Sequence, residues 1–351
     1  MITLERSIIE GLTHDHPTPA VLRGALQRAL ELEHATIPLY LYALYSLMPE
    51  RNRDVARVLE SVVVEEMLHM ALVSNLLNAL GGEAVLASPA FVPRYPGRLP
   101  GGIEQHLTVH LAPFSLEQLE VFIEIEEPRE PINHESLLNP QVEEPCTIGE
   151  FYELIKRALA RIDATTFVAP ARNQVGPELM YGAVVVDSAA SAVAAIDVII
   201  AQGEGSSMSP EEVAGFGGVN DVAHFYRFVE IQRGRRLVRP DPSALTVGFD
   251  YVGDPITFDP EGVYEVPTDP TREEYLPGSR ARYLVDTFNF TYTSLLHQLD
   301  RLFNGHADSD AFARAIGVMK SLHAQARTMA SDESPLGATF EYQAEAPRPP
   351  H

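Results

Sequence analysis

Two carboxylate and histidine pairs with the same spacing occur far apart in the chain. Glu66 precedes His69 by three residues, and Asp221 precedes His224 by three. Residues with this spacing on an α-helix lie one turn apart on nearly the same face, so both side chains can bind one ion. The only cysteine is Cys146, which excludes disulfides within the chain and thiolate clusters. Any metal ion would therefore be held by nitrogen and oxygen atoms.

The first pair lies in a predicted helical hairpin. Apolar residues recur at intervals of three and four from about Thr18 to Met48 and again from about Asn52 to Leu80, which predicts two amphipathic helices. The link between them is so short that the helices must be antiparallel. Pro38 falls inside the first helix, where we expect a kink.

Glu33, Glu66 and His69 replace apolar residues on the facing seams of this hairpin. Glu33 and Glu66 each lie about sixteen residues, or roughly 24 Å, from its tip. The three side chains are therefore predicted to converge at one height. A buried acid is costly without a partner or a metal ion, so this convergence indicates a metal site.

A second hairpin is predicted from Ala189 to Glu204 and from Asp221 to Arg235, joined by a Gly- and Ser-rich loop that we expect to act as an access gate. A glutamate from each of two helices, with an acid and a histidine three apart on each of the other two, is the ligand set of a di-metal carboxylate bundle. Such ligands suit iron or manganese better than calcium or structural zinc. The predicted metal ligands are Glu33, Glu66, His69, Glu204, Asp221 and His224.

All of these residues except His224 also have a simpler interpretation. Glu33, Glu66 and His69 could form a buried salt-bridged cluster, with Arg57 or Arg227 as the counter-ion. Asp221 is equally suited to capping a helix, and Asp197 could replace Glu204.

Other polar residues near the predicted site have less specific patterns. Glu65 lies off the seam and is expected to face solvent or a neighbouring helix. Glu150 has the spacing of a capping box with Thr147, so it is only a reserve ligand. Tyr40 lies two turns from Glu33 and could support a ligand.

The remaining segments are predicted to surround the bundle. Residues 82–187 form a Pro- and Gly-rich insertion with one alternating stretch, HLTVHLAP, that could be a strand. Helices are predicted within it at Leu116 to Ile125 and from about Thr147. Residues 1–239 thus make a bundle with an insertion, and residues 240–351 a C-terminal extension with helices at Tyr283 to Phe303 and Asp310 to Met329. The two parts could equally form one domain.

The charge balance restricts the partners. The chain has 49 acidic and 26 basic residues among 351, for a net charge of -23. This charge repels nucleic acids and anionic membranes. The sequence shows no signal peptide and no transmembrane span, so we expect a cytoplasmic protein.

Several longer motifs resemble a known family. The runs LEHATIPLYLYALY, VVVEEMLHMALVSNLLNALGG, TIGEFYELI, QGEGS, HFYRF, FNFTYTSLL and TFEY are similar to the ferritin-like domain of the iminophenyl-pyruvate dimer synthase type. The resemblance covers nearly the whole chain. It implies a mainly all-α fold, a ferritin-like four-helix bundle, with Glu33, Glu66, His69, Glu204 and His224 at the metal positions. Asp221 stands where a glutamate is expected.

The sequence therefore predicts a di-metal carboxylate protein that binds two iron ions, or manganese. The expected function is that of an oxidase or oxygenase for a small organic substrate, and the resemblance implies an amino-acid-derived one. The alternatives are a non-catalytic protein that binds or handles iron and a structural ferritin-like module. The protein could also form a homo-oligomer.

Overall fold

A computed structural model describes residues 6–102, 106–128, 147–203, 222–239, 248–305 and 307–347. Nine α-helices and a few single 3-10 turns account for the regular structure of these ranges. The predicted all-α fold class is confirmed. The helices are α1 Arg6–Thr13, α2 Pro19–Ser46, α3 Arg53–Ala79, α4 Leu116–Ile125, α5 Ile148–Leu159, α6 Ala189–Gly203, α7 His224–Arg233, α8 Arg280–Phe303 and α9 Ser309–Ala330.

The long hairpin of α2 and α3 is the centre of the fold. Thr18 caps α2 by accepting a hydrogen bond from the Val21 amide, and Pro19 occupies its first turn. The helix continues through Pro38 to Ser46. Both helices are buried along much of their length, which explains why their apolar stripes were clear in the sequence.

Asn52 fixes the link between α2 and α3. Its amide nitrogen donates to the main-chain oxygens of Asp259 (2.9 Å) and Gly262 (2.8 Å), and its side-chain oxygen accepts from the Asp259 amide at 2.8 Å. The segment around residue 260 is thereby held over the tip of the hairpin. Because the polar atoms of this buried asparagine all have hydrogen-bond partners, its burial costs little free energy and specifies the local path of the chain.

The helices α4 to α7 surround the hairpin. The α2 helix contacts α5, α3 contacts α6 and α7, and α4 contacts α7. Thr147 and Glu150 form the predicted capping box at the start of α5. Glu150 therefore has a structural role.

The proposed strand HLTVHLAP is a wrong prediction for the part of the chain that the structure describes. Val109 makes only an isolated bridge to Gly97. The alternation instead reflects burial of every second side chain, since Leu107, Val109 and Leu111 are buried. Asp269 also holds this segment, because it accepts a hydrogen bond from the Leu111 amide at 2.9 Å and pairs with His110.

The C-terminal helices pack against each other, and α9 also contacts α2. Asn78 on α3 donates to the main-chain oxygen of Phe303 at the end of α8 (2.7 Å). Apolar residues of α8 and α9 belong to the same buried core as α2 and α3. Within the described ranges, no helix has the length and apolar character that a membrane crossing needs.

Candidate metal centre

Five buried side chains from four helical segments meet beside the hairpin. They are Glu33 on α2, Glu66 and His69 on α3, Glu126 at the C-terminal end of α4, and His224 at the first position of α7. Each is at most 4 % exposed. Buried acids and histidines at this density require mutual pairing or bound cations.

The first group consists of Glu33, Glu66 and His69. The Nδ1 atom of His69 lies 3.2 Å from Glu33 Oε2 and 3.9 Å from Glu66 Oε2. One donor atom from each residue falls within 4.8 Å of the others, which allows a single ion to bind all three. The convergence inferred from the hairpin is therefore present in the structure.

The second group consists of Glu66, Glu126 and His224. Nδ1 of His224 lies 3.0 Å from Glu66 Oε1 and 3.7 Å from Glu126 Oε2. Donor atoms of this group also lie within 4.8 Å of one another. Glu66 belongs to both groups, and its two oxygens face different histidines. It is thus placed to bridge two ions.

Glu126 was missed in the sequence because its helix was assigned to an insertion. A signal was nonetheless present. Leu119, Phe122 and Glu126 follow one another at steps of three and four, and all three are buried. Glu126 therefore continues the apolar stripe of α4, as Glu33 does on α2.

The carboxylates of Glu33 and Glu126 each receive a tyrosine hydroxyl. Tyr152 on α5 donates to Glu33 Oε1, and Tyr40 donates to Glu126 Oε1 at 2.6 Å. Tyr40 was expected to support Glu33, whereas its hydroxyl contacts Glu126 in the structure. Both phenols have a pKa raised well above its usual value by burial and by nearby carboxylates.

The shared residue Glu66 is held by a different group. The Thr36 hydroxyl lies 3.1 Å from Glu66 Oε2 and 2.8 Å from the main-chain oxygen of Glu33. This contact ties the orientation of Glu66 to the backbone of α2.

Glu65 faces a neighbouring helix and is fully buried. Its Oε2 atom lies 2.9 Å from His224 Nε2 and 2.9 Å from an Arg227 guanidinium nitrogen. Arg227 also donates to the main-chain oxygen of Val222 (2.6 Å) and to Ser61 (3.0 Å). Burial would raise the pKa of Glu65, but His224 and Arg227 lower it to about 2.

Arginine does not neutralise the inner acids in the structure as described. Arg227 pairs with Glu65, and Arg57 pairs with Asp54 at the surface. Ion pairs within the described ranges connect Glu33 and Glu66 only to histidines. A salt-bridged cluster around arginine therefore does not explain the burial of these two acids.

Protons balance the charge of the metal-free cluster. Burial, with the nearby charge of Glu33, raises the pKa of Glu66 to about 8. Burial alone would lower the pKa of His69, but Glu33 and Glu66 raise it. The pKa of His224 is likewise raised, against the effect of burial, by Glu126, Glu65 and Glu66. Bound metal cations would replace the protons at these three residues.

The pKa of Glu33 changes in the opposite direction. Burial acts to raise it, but the adjacent His69 imidazole and further hydrogen bonds lower it below the usual value. Glu33 is therefore an ionised carboxylate at neutral pH and a candidate ligand.

The donor set fits a metal centre in two further respects. Within the described ranges, the buried Nδ1 of His224 makes no hydrogen bond of acceptable geometry despite the nearby carboxylates. A cavity of about 20 Å³ lies beside Glu33, Glu66, His69 and Glu126, which is room for one water molecule or ion. Oxygen and imidazole donors are those that iron and manganese accept.

Two predicted ligands, Glu204 and Asp221, lie outside the described residues. Gly203 is the last described residue of α6, and a Cβ added there would lie 3.6 Å from Glu126 Oε2. The residue before Glu204 is thus at the cluster. Asp197, the alternative to Glu204, is about half exposed and pairs with Lys156 at 2.6 Å. The α7 helix begins at His224, later than predicted, with Ala223 at the N-cap position.

A helical fold with buried carboxylate and histidine groups that could hold metal defines the class of protein as a helical protein with a candidate metal centre. Comparison with known proteins identifies its family. The Ferritin-like family model matches residues 26–233, and the chain belongs to this family. A ferritin-like protein from Caulobacter vibrioides of known structure is 26 % identical, with a TM-score of 0.62. The match covers 92 % of this chain and 97 % of that one. No curated protein matches significantly.

Proposed function

We propose that the protein is a di-metal carboxylate oxidase or oxygenase that binds two iron ions, with manganese as the alternative metal. The supporting observation is that two buried ligand groups share Glu66, with one of its oxygens facing each histidine. When bound, two ferrous ions would supply two electrons to O2, one from each ion, and the organic substrate or an external reductant would supply the rest and restore the ferrous state.

The residues of the chain orient and insulate this centre. Tyr152 donates to one oxygen of Glu33, and Tyr40 donates to one oxygen of Glu126. The other oxygen of each carboxylate faces a histidine. Glu65 and Gln202 hold the outer nitrogens of the two imidazoles. These contacts fix which atom of each residue would face a cation.

The proposed ligand set needs at least one further carboxylate. Glu33, Glu66 and Glu126 carry three negative charges when ionised, whereas two ferrous ions carry four positive charges. Glu204 follows Gly203, which adjoins Glu126, so we propose Glu204 as this ligand. Asp221 remains a proposed ligand three residues before His224. Changing Asp221 to Glu is expected to preserve iron binding if the carboxylate is a ligand.

The proposed substrate class rests on the resemblance to ferritin-like domains of the iminophenyl-pyruvate dimer synthase type. It is a small, amino-acid-derived compound such as an imine. The cavity among the described residues is too small for it, although Ile148, Ile199 and Ile200 give one side of that cavity an apolar wall. The proposed gate at residues 206–218 lies outside the described ranges.

The test is to load metal-free protein anaerobically with Fe²⁺, measure iron per chain, and follow O2 consumption on mixing with air. We expect about two irons per chain and O2 uptake that the His69→Ala variant reduces. His297→Ala is the control, because His297 is exposed and contacts Tyr342 outside the cluster. Iron-free protein of full stability would instead support a structural module, and iron without O2 consumption a metal-handling protein.

A further inference from the structure

The two ligand groups of the cluster, Glu33–Glu66–His69 and Glu66–Glu126–His224, make similar contacts around their carboxylates. Each contains one histidine that faces carboxylates through Nδ1, and the carboxylate of Glu66 serves both. Each also contains a glutamate that accepts a tyrosine hydroxyl, Glu33 from Tyr152 and Glu126 from Tyr40. Among the described residues, the two ligand groups differ mainly in what lies behind the histidines.

The acceptors behind the two histidines differ. Nε2 of His69 lies 3.1 Å from the amide oxygen of Gln202, whereas Nε2 of His224 lies 2.9 Å from the carboxylate oxygen of Glu65. Both acceptors are buried, at 2 % and 0 % exposure respectively. Water therefore does little to screen the difference between a neutral and an ionised acceptor.

Arg227 keeps Glu65 ionised without removing its contact with His224. The guanidinium binds the same carboxylate and is anchored to Val222 and Ser61. The carboxylate of the pair contacts the imidazole of His224, and the guanidinium contacts Glu65, Val222 and Ser61. A carboxylate acceptor makes a histidine a stronger donor to metal than an amide does, because the charge-assisted hydrogen bond increases the electron density of the ring.

We infer that the two metal positions are unequal, and that the position formed by Glu66, Glu126 and His224 binds its ion first and more tightly. Glu65 and Gln202 are the positioning residues that set this order. The inference rests on the proposed metal-binding function and adds to it a defined sequence of loading. The second ion enters the position formed by Glu33, Glu66 and His69.

The order can be measured by anaerobic titration of the full-length metal-free protein with Co²⁺, followed by calorimetry and by visible absorbance. We expect two binding steps that differ at least about tenfold in Kd, the lower bound of the effect of such outer contacts. His69→Ala should retain the tight step and lose the weak one. His224→Ala should lose the tight step.

The variant Gln202→Glu tests the cause without removing a ligand. It places a carboxylate behind His69, so the weaker step should tighten about tenfold or more and the gap between the steps should narrow. Gln325→Glu on α9 is the control for the added charge, because Gln325 contacts Thr291 and Ser321 outside the cluster. The Co²⁺ absorbance of the second step should shift in Gln202→Glu only, which a purely structural effect would not produce.

Three outcomes would overturn the inference. They are two equal steps in the wild-type protein, retention of the tight step in His224→Ala, and unchanged steps in Gln202→Glu. A wild-type protein that binds no Co²⁺ or Fe²⁺ would overturn the proposed function, and this inference with it. The result of the wild-type titration therefore separates the two failures.

Discussion

The Oε1 atom of Glu66 lies 3.0 Å from Nδ1 of His224, across the contact between α3 and α7. The other oxygen of the same carboxylate lies 3.9 Å from Nδ1 of His69, one turn along α3. Glu66 therefore occupies the centre of the cluster, and its protonation and replacement should affect both proposed metal positions.

Glu66→Gln is expected to lower the metal content more than a substitution of a ligand that belongs to only one of the two metal positions. The amide keeps the volume but cannot bridge two cations as a carboxylate does, so we expect well under one ion per chain. Metal analysis after anaerobic loading checks this. Glu124→Gln is the matched control, because Glu124 pairs with His106 at the surface and should keep two ions. Two ions in Glu66→Gln would rule out the shared ligand.

Metal-free protein should lose stability as the pH rises. The folded-state pKa of Glu66 is about 8, above its usual 4.5, so its contribution is full below about pH 4.5 and is lost as the pH rises towards 8. The raised pKa values of His69 and His224 act in the same direction above about pH 6.5. Each group contributes on the order of 1 kcal/mol per pH unit while it titrates.

Urea unfolding of chelator-treated protein between pH 6 and 9 measures this dependence. Glu66→Gln cannot ionise at this position, so its stability should fall less over the same range. Bound metal should reverse the trend, because cations compete with protons for the same atoms. A metal-free stability that rises with pH across this window would contradict the assigned protonation.

Glu65→Gln should destabilise the metal-free protein strongly. It leaves the buried Arg227 guanidinium without its anion, and breaking a buried pair of this kind costs about 3–5 kcal/mol. Asp54→Asn is the control, since the Arg57–Asp54 pair is exposed and such pairs contribute about 0–1 kcal/mol. Chemical denaturation at pH 7 gives both values, and equal losses would mean that Glu65 and Arg227 are not a desolvated pair.

The loss of folding stability at acidic pH has a separate origin. The pKa of Glu65 is about 2 in the folded protein, so its contribution is present above about pH 4.5 and is lost as the pH falls towards 2. Glu65→Gln should therefore lose less stability than the wild-type protein over that interval. An identical acid dependence in both proteins would contradict this assignment.

Tyr152→Phe and Tyr40→Phe should reduce stability without reducing metal content. Each variant leaves one buried carboxylate oxygen without its donor, at a cost of about 1–3 kcal/mol. Tyr342→Phe is the control, because its hydroxyl contacts His297 at an exposed site. Thermal unfolding and metal analysis are the measurements. Loss of one ion in either buried variant would make that hydroxyl a ligand instead.

The sequence predicted the part of the cluster that depends on long, regular helices. Periodicity located α2 and α3, and a rise of about 1.5 Å per residue placed Glu33 and Glu66 at one height. Such reasoning works because a short link leaves two long helices little freedom. His224 was predicted from its three-residue spacing to Asp221 on one helix. Because α7 begins only at His224, that helical spacing is not what places His224 in the cluster.

The rest of the cluster depends on tertiary contacts that periodicity does not encode. Glu126 ends a helix of only ten residues, and its place beside His224 follows from packing of α4 on α7. Glu65 appeared to lie off the seam because a two-helix hairpin has one buried face, whereas α3 is also covered by α6 and α7. On such a helix, two acids that are adjacent in sequence can both be buried, each on a different face.

The most direct test of two ions sharing Glu66 is anomalous diffraction from crystals loaded with Mn²⁺ or Fe²⁺. We predict two anomalous peaks, one adjoining Glu33, Glu66 and His69 and the other adjoining Glu66, Glu126 and His224. Glu66 should contact both. A map with no peak among these residues, or with Glu66 contacting neither ion, would contradict the account.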